Sequence, residues 1–181
     1  MQLSAKRSRA AIQRSLVAFV VGDVRYAIDI AQVREIVTPL PLTLLPHTPD
    51  GLAGVADHRS EVVPIIDLRA RFALAARTEP SKKVKWILVD VVQRTVGLVV
   101  DDVLGVLRMP AGDFRPQPEL GGGEQARGIA SVTTHEGEMV FVLDLSRFER
   151  LAESFDHRSL PPPAGAKEGA KDKDGMREDR S

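Results

Sequence analysis

The segment over residues 51–72, GLAGVADHRSEVVPIIDLRARF, most constrains what this chain can fold into. Two apolar runs, over 52–56 and 61–66, flank the polar stretch Asp57-His58-Arg59-Ser60. Asp and Ser side chains hydrogen-bond to the backbone where a strand pair reverses, so the pattern predicts a β-hairpin with Arg59 at its tip. Asp67 then suits the N-cap of a short helix, because its carboxylate accepts from the free N–H groups of the first turn.

Further hairpins are predicted on both sides of this segment. Gly22-Asp23 separates apolar runs over 16–21 and 24–29, and glycine supplies the positive φ that a two-residue turn requires. Later strands are expected over 84–92, 95–100, 103–109, 128–133 and 138–143. Residues 30–37, IAQVREIV, place apolar side chains at helical spacing and predict a short helix. Prolines in 38–51 and 110–124 predict an extended edge or irregular chain.

The two halves of the chain resemble each other. VVPIIDLRARF over 62–72 is echoed by MVFVLDLSRF over 139–148. An earlier hairpin in each half ends in an apolar-Asp pair, Ile28-Asp29 in one and Val100-Asp101 in the other. The recurrence predicts two similar β-units, and frequent Gly and Pro turns favour small closed barrels. Coincidence stays an alternative, since apolar-Asp-Leu is common where a strand leads into a helix.

Composition argues against several classes of function. The 25 Lys and Arg match 25 Asp and Glu, and aromatic residues make up 4% of the chain, so a barrel that binds single-stranded nucleic acid would lack both a basic groove and stacking platforms. No apolar run approaches the roughly 18 residues that span a bilayer, so direct membrane insertion is not expected. There are no cysteines, and the four histidines show no metal-ligand spacing, so no metal site is predicted.

No catalytic motif is apparent either, and neither an enzyme nor a cofactor is expected. An aspartate follows an apolar pair at five places, and helix capping accounts for the two that precede Leu, Asp67 and Asp144. The rival interpretation is a two-lobed hydrolase, which would need two of the aspartates, for instance Asp67 and Asp144, to converge within hydrogen-bonding reach. Residues 1–14 are expected to form a flexible basic arm. Residues 156–181 lack the apolar content to offset chain entropy and are expected to form a disordered charged tail.

Three segments together resemble the CheW family of chemotaxis coupling proteins: FVVGDVRYAIDIAQVREIV, LLPHTPDGLAGVADHRSEVVPIIDLRARF and VGLVVDDVLGVLRMPAGDFRP. The resemblance runs over residues 16–151. It implies a mainly β fold in which two five-stranded SH3-like β-barrels pack together, with short helices. The CheW-like domain would then span 15–155, with barrels over about 15–76 and 84–151.

The resemblance also implies a function. Such a protein would be a non-catalytic adaptor between the regulatory domain of a CheA-like histidine kinase and the cytoplasmic tip of a methyl-accepting receptor. It would be cytoplasmic and recruited to receptor clusters at the inner membrane face. The alternative is a CheW-like scaffold in a divergent, non-flagellar pathway that controls surface motility or development.

Matching the family motifs position by position yields a set of partner-binding candidates. The family's turn Asn-Leu-Arg-Gly stands here as Asp57-His58-Arg59-Ser60, which keeps the cation expected to face the receptor. The candidates are Val33, Glu35, Ile36, Gly54, His58, Arg59, Val99, Val100 and Asp101.

Overall fold

The computed structural model describes residues 12–46, 48–116 and 128–153. Within this part of the chain, eleven strands and two short α-helices alternate with 3₁₀ turns. The strands are β1 (Gln13–Val21), β2 (Val24–Asp29), β3 (Val33–Val37), β4 (Leu52–His58), β5 (Glu61–Asp67), β6 (Lys85–Val91), β7 (Arg94–Val100), β8 (Asp102–Pro110), β9 (Arg115–Pro116), β10 (Ile129–His135) and β11 (Glu138–Leu143). The helices are α1 (Leu68–Arg71) and α2 (Glu149–Glu153).

The strands form two sheets. One has the order β8-β1-β2-β11-β10-β9 and the other the order β3-β6-β7-β5-β4. The prediction of a mainly β protein with two β-subdomains and short helices is therefore confirmed. The first sheet has a sixth member only because the two-residue β9 pairs with the edge of β10.

Each sheet takes strands from both halves of the chain. The six-stranded sheet combines β1 and β2 with β8 to β11, and the five-stranded sheet combines β3, β4 and β5 with β6 and β7. The expected division into barrels over 15–76 and 84–151 is therefore wrong. A 3₁₀ turn of three residues, Ile30–Gln32, links β2 to β3, and Asp101 alone links β7 to β8, so the chain crosses directly from one sheet to the other.

The predicted duplication is visible in the topology. In both sheets a hairpin from one half (β1-β2 or β6-β7) lies between strands of the other half. Its second strand pairs in parallel with the strand that precedes Asp-Leu: β2 with β11, and β7 with β5. The backbone N–H of Asp67 donates to Gly51 and that of Asp144 to Gly128, each at 2.8 Å. The repeat is thus a pair of similar five-strand units that exchange their hairpins.

The largest apolar cluster lies between the sheets. It includes Phe19 and Ile28 of the six-stranded sheet together with Ile87 and Leu98 of the five-stranded sheet, all fully buried. Two smaller apolar clusters each lie within one subdomain: one is formed by the five-stranded sheet and the other by the six-stranded sheet. Because most of the buried apolar surface is shared, we expect the two subdomains to unfold together.

Two aromatic residues after the Asp-Leu segments reinforce this shared core. The ring of Phe72, just after α1, stacks on Tyr26 of β2 with centroids 4.7 Å apart. Phe148 is fully buried, and the Arg71 guanidinium lies 5.8 Å from its centroid. Burial lowers the pKa of Arg71. Each Asp-Leu segment therefore ends in an aromatic ring that packs into the space between the subdomains.

Several local predictions need correction. Residues 30–37 do not form a helix: after Ile30–Gln32 the chain continues as β3, which pairs with β6. The exposure of Val33–Val37 alternates from residue to residue, as a strand requires, and sheet pairing overrides the weak helical spacing. The turn of the central hairpin contains only Arg59 and Ser60, because β4 continues to His58.

The predictions for the termini fall mostly outside the described residues. Residues 13 and 14, assigned to the arm, belong to β1, while residues 1–11 and the tail over 156–181 are not described. Within the described part, none of the helices has the length and apolar character needed to cross a membrane.

Candidate functional site

Glu35, His58 and Arg59 meet at one end of the five-stranded sheet. The Glu35 carboxylate accepts from Arg59 Nη2 at 3.0 Å, and its other oxygen lies 3.2 Å from His58 Nε2. The Arg59 side chain is 74% exposed, whereas that of His58 is only 16% exposed. The three residues therefore present one accessible cation that is oriented by a half-buried acid.

This contact also closes the sheet. Glu35 lies on β3 and His58 on β4, and these strands are the two outermost members of the five-stranded sheet. Side chains at opposite edges touch only when the sheet curls round so that its edges approach. The cluster at the tip is therefore part of the barrel closure.

The backbone of the tip is held in an uncommon conformation. Arg59 and Ser60 both have left-handed backbones, with φ of +54° and +66°. Asp57 supports the turn, because its Oδ1 accepts from the Ser60 N–H at 2.9 Å. Two-residue hairpin turns of this kind prefer Asn-Gly, so side chains at both positions cost about 1–2 kcal/mol per residue. The sequence places Arg59 at a stiff, strained position.

Arg34 forms a second polar cluster beside the tip. Its guanidinium lies 3.4 Å from Glu61 and 3.6 Å from Asp90, and it also hydrogen-bonds to Thr95. The Thr95 hydroxyl in turn donates to Glu61 at 2.6 Å. These contacts tie β3 to three other strands, so the outward-facing end of β3 is held in place.

The candidate residues of β3 differ in exposure. Ile36 is 42% exposed and points away from the core, whereas Val33 packs partly against the large apolar cluster. Ile36 is therefore available to a partner, and Val33 contributes to the core.

Gly54 is buried and has a structural role. Thr43 pairs with Val55 through two backbone hydrogen bonds of 2.8 and 2.9 Å, which cover the edge of β4. A Cβ atom at Gly54 would overlap the Thr43 carbonyl oxygen, and the φ of +148° is itself a region that favours glycine. We therefore exclude Gly54 from direct contact with a partner.

The candidates at the end of β7 and in the link to β8 are buried or half-buried. Val100 has no exposed surface and Val99 is 8% exposed, and both belong to apolar clusters. The Asp101 side chain is 15% exposed and is bound to Arg69 and Arg77. The side chains of Val99 and Val100 face the interior and that of Asp101 is engaged by two arginines, so the structure does not support the expectation that these three residues contact a partner.

The two aspartates of the hydrolase interpretation cap their own helical turns. Asp67 accepts from the Arg69 N–H at 2.8 Å, and Asp144 accepts from the Ser146 N–H at 3.1 Å. The Ser146 hydroxyl also donates to Asp144, and this bond, against the opposing effect of burial, lowers the pKa of that carboxyl. Capping accounts for both carboxylates, as the sequence indicated.

The sequence reasoning missed several residues that the structure singles out. Leu42 and Leu44, on the proline-rich segment that covers β4, are 37% and 76% exposed. Arg69 and Arg77 both bind Asp101, a pairing that the sequence analysis did not predict. Apolar residues in a segment that cannot form a central strand were the available sign of the first pair. Nothing in the spacing of Arg69 and Arg77 pointed to Asp101.

Comparisons with known proteins identify the class. The family model described as "CheW-like domain" matches residues 15–152. The chain is 36% identical over 135 residues to "Chemotaxis protein CheW" of Rhizobium meliloti, covering 73% of this chain and 84% of the relative. It is 30% identical over 153 residues to "Protein FrzA" of Myxococcus xanthus, covering 84% and 94%. This chain belongs to the CheW family.

The fold agrees with that assignment. The crystal structure of the scaffolding protein TtCheW from Thermoanaerobacter tengcongensis superposes with a TM-score of 0.68 at 26% identity, over 74% of this chain and 90% of that one. The protein described here is a coupling adaptor of a chemotaxis-like signalling pathway.

Proposed function

We propose that this adaptor links the regulatory domain of a CheA-like histidine kinase to the cytoplasmic tip of a methyl-accepting receptor, without catalysing a reaction. It would act on the cytoplasmic side, at receptor clusters. Arg59, Glu35 and Ile36 would form a partner-binding surface, which we call the β3–β4 surface. Membership of the CheW family supports the partner class, and the geometry of the hairpin tip supports the surface.

The main support for the β3–β4 surface is that Arg59 is exposed and held in a fixed orientation. Its side chain is 74% exposed, while its backbone is fixed by a two-residue turn and its guanidinium is oriented by Glu35 at 3.0 Å. A pre-oriented guanidinium loses little conformational entropy when it binds a carboxylate or carbonyl, because its planar donors are already aimed. Such an anchor contributes about 2 kcal/mol in a protein interface.

Ile36 supplies an exposed apolar side chain next to Glu35, on the alternate face of β3. It follows Glu35 on β3 and is 42% exposed, so burying it against a partner removes apolar surface from water. Weak, transient signalling interfaces bury less than about 1,200 Å² in total. Individual contacts of that size are weak, and we expect several adaptors to act together in an array, where linked binding raises the effective concentration.

The test is a charge reversal at the tip. Arg59→Glu should weaken binding of a kinase regulatory domain or of a receptor cytoplasmic fragment about 30-fold, which corresponds to about 2 kcal/mol. Each partner, from the same genome, is titrated separately by calorimetry. The matched control is Lys82→Glu, which makes the same change of charge at an exposed residue of the loop before β6.

The thermal transition separates the two roles that Arg59 could have. An exposed ion pair contributes about 0–1 kcal/mol, so Arg59→Glu should lower the melting temperature by only a few degrees. A large drop would make Arg59 a structural residue. Unchanged affinity for both partners in a folded variant would refute the β3–β4 surface, and no binding of the wild-type chain to either partner would refute the adaptor proposal.

A further inference from the structure

Asp101 joins four parts of the chain through one carboxylate. Its Oδ2 accepts from the Gly22 N–H at 2.6 Å and from Arg69 Nη2 at 2.8 Å, and Arg69 Nε donates to both oxygens. Arg77 Nε donates to Oδ1 at 2.7 Å, and its Nη2 also contacts that oxygen. We call Asp101, Arg69, Arg77 and Gly22 the Asp101 node.

The node lies where the chain passes between the sheets. Asp101 separates β7 of the five-stranded sheet from β8 of the six-stranded sheet. Gly22 belongs to the β1–β2 turn of the six-stranded sheet, and Arg69 lies on α1, which follows the five-stranded sheet. Arg77 lies in the segment that connects the two halves. The node therefore bonds the two subdomains to each other and to their linker.

Partial burial strengthens these directional bonds, because the local dielectric constant is lower than that of water. The side chains of Asp101, Arg69 and Arg77 are 15%, 20% and 27% exposed. Burial alone would raise the pKa of Asp101, but the hydrogen bonds from Arg69, the Gly22 amide and Arg77 hold it below the ordinary value. Charge-assisted bonds of this kind fix geometry more closely than apolar contact, which is non-directional.

The pseudo-equivalent crossing is built differently. Asp29, at the end of β2, occupies the position of Asp101 in the other half of the repeat. It caps the following turn through the Ala31 N–H at 3.0 Å, and it forms an ion pair with Arg14 at 3.6 Å. Asp29 is thus held by its own segment and by one half-exposed arginine. The crossing from β7 to β8 is therefore bonded to three other segments through Asp101, whereas the crossing from β2 to β3 has no equivalent set of bonds among the described residues.

We propose that Asp101 is a positioning residue that fixes the orientation of the five-stranded sheet relative to the six-stranded sheet. The shared apolar core holds the subdomains together, and the Asp101 node sets the angle between them. In an adaptor that binds two proteins, this angle determines where one partner stands relative to the other. That last step rests on the function proposed above; the orientation itself does not.

The orientation is measured with spin labels. The chain has no cysteine, so Met139→Cys on β11 and Val92→Cys at the β6–β7 turn, 62% and 56% exposed in the wild type, provide one label in each subdomain. We expect a narrow distance distribution in the otherwise wild-type protein. Asp101→Asn should broaden or shift it, because the carboxylate that both arginines bind is lost. Asp29→Asn, the matched control, should leave it unchanged.

Arg77→Gln provides a milder version of the same test. It removes only the bonds from Arg77 to Asp101 and leaves those between Arg69 and Asp101. The distance distribution should therefore broaden less than in Asp101→Asn, in a protein that remains folded. The proposal is overturned if the distribution stays as narrow as the wild type in Arg77→Gln and in any folded Asp101→Asn protein. It is also overturned if Asp29→Asn broadens it equally.

The consequence for coupling is tested in a reconstituted assembly of receptor fragment, kinase and adaptor. Asp101→Asn and Arg77→Gln should bind each isolated partner with near wild-type affinity but lose receptor control of kinase activity. A residue that only stabilises the fold would not abolish receptor control while leaving the affinity for each partner unchanged. Loss of affinity for one isolated partner would instead make the node part of a binding surface, and wild-type control would refute a role in coupling.

Discussion

Gly54→Ala tests how the edge of β4 is covered. The substitution places a methyl group against the Thr43 carbonyl, 3.2 Å from its carbon and inside contact distance of its oxygen. Backbone atoms cannot rotate away as a side chain can, so the segment that carries Thr43 must move. That movement breaks the two hydrogen bonds between Thr43 and Val55 and exposes the strand edge.

The magnitude follows from two contributions. A side chain at the φ of Gly54 costs about 1–3 kcal/mol as backbone strain. Loss of the two backbone hydrogen bonds costs about 0.5–1.5 kcal/mol each, or about 1–3 kcal/mol together. We therefore expect Gly54→Ala to lower the free energy of unfolding by about 2–6 kcal/mol.

Gly105→Ala is the matched control. Gly105 also lies in a strand with a positive φ, +123°, but a Cβ atom there would have no neighbour within 4 Å. It should show only the strain contribution, about 1–3 kcal/mol. Urea unfolding measures both variants, and hydrogen exchange follows the amides of Thr43 and Val55. Equal destabilisation by the two variants, with protection retained at Thr43 and Val55, would refute the close-contact argument.

Three further predictions concern stability. The pKa of Asp101 is lowered in the folded state, so its contribution to stability is fully present above the unfolded value of about 3.9 and is lost as the pH falls through the folded value. The difference in unfolding free energy between wild type and Asp101→Asn should therefore stay constant above about pH 5 and shrink as the pH falls below about 4; a difference that stays constant in acid would contradict this. Phe72→Ala should cost about 3–5 kcal/mol and leave a single unfolding transition by calorimetry, because the ring packs between both subdomains; two separate transitions would argue against a shared core. Val92→Gly should raise stability by about 1 kcal/mol, since a β-branched residue at φ +45° is strained; an unchanged or lower urea midpoint would show that the turn bears no such strain.

The local features of the fold could be predicted from the sequence because they depend on residues close together in the chain. Gly22-Asp23 gives a two-residue turn, and Asp67 and Asp144 cap the turns that follow them. Arg59 at the hairpin tip follows from the same kind of reasoning. The repeat was visible because both copies use the same strand, Asp-Leu and aromatic order.

Predictions that needed distant partners were less successful. Residues 33–37 have apolar spacing compatible with a helix, but pairing with β6 makes them a strand. Val99 and Val100 are buried because the hairpin that contains them lies between strands of the other half.

The sequence alone determined that this protein has two similar β-units with polar turns, and that its motifs resemble those of one adaptor family. Only the tertiary structure decided which strands share a sheet, where the common core lies, and that Asp101 is paired with two arginines. Hairpins and caps are set by neighbours along the chain, whereas sheet membership and ion pairing depend on residues dozens of positions apart, whose meeting is decided by burial of the whole apolar surface at once.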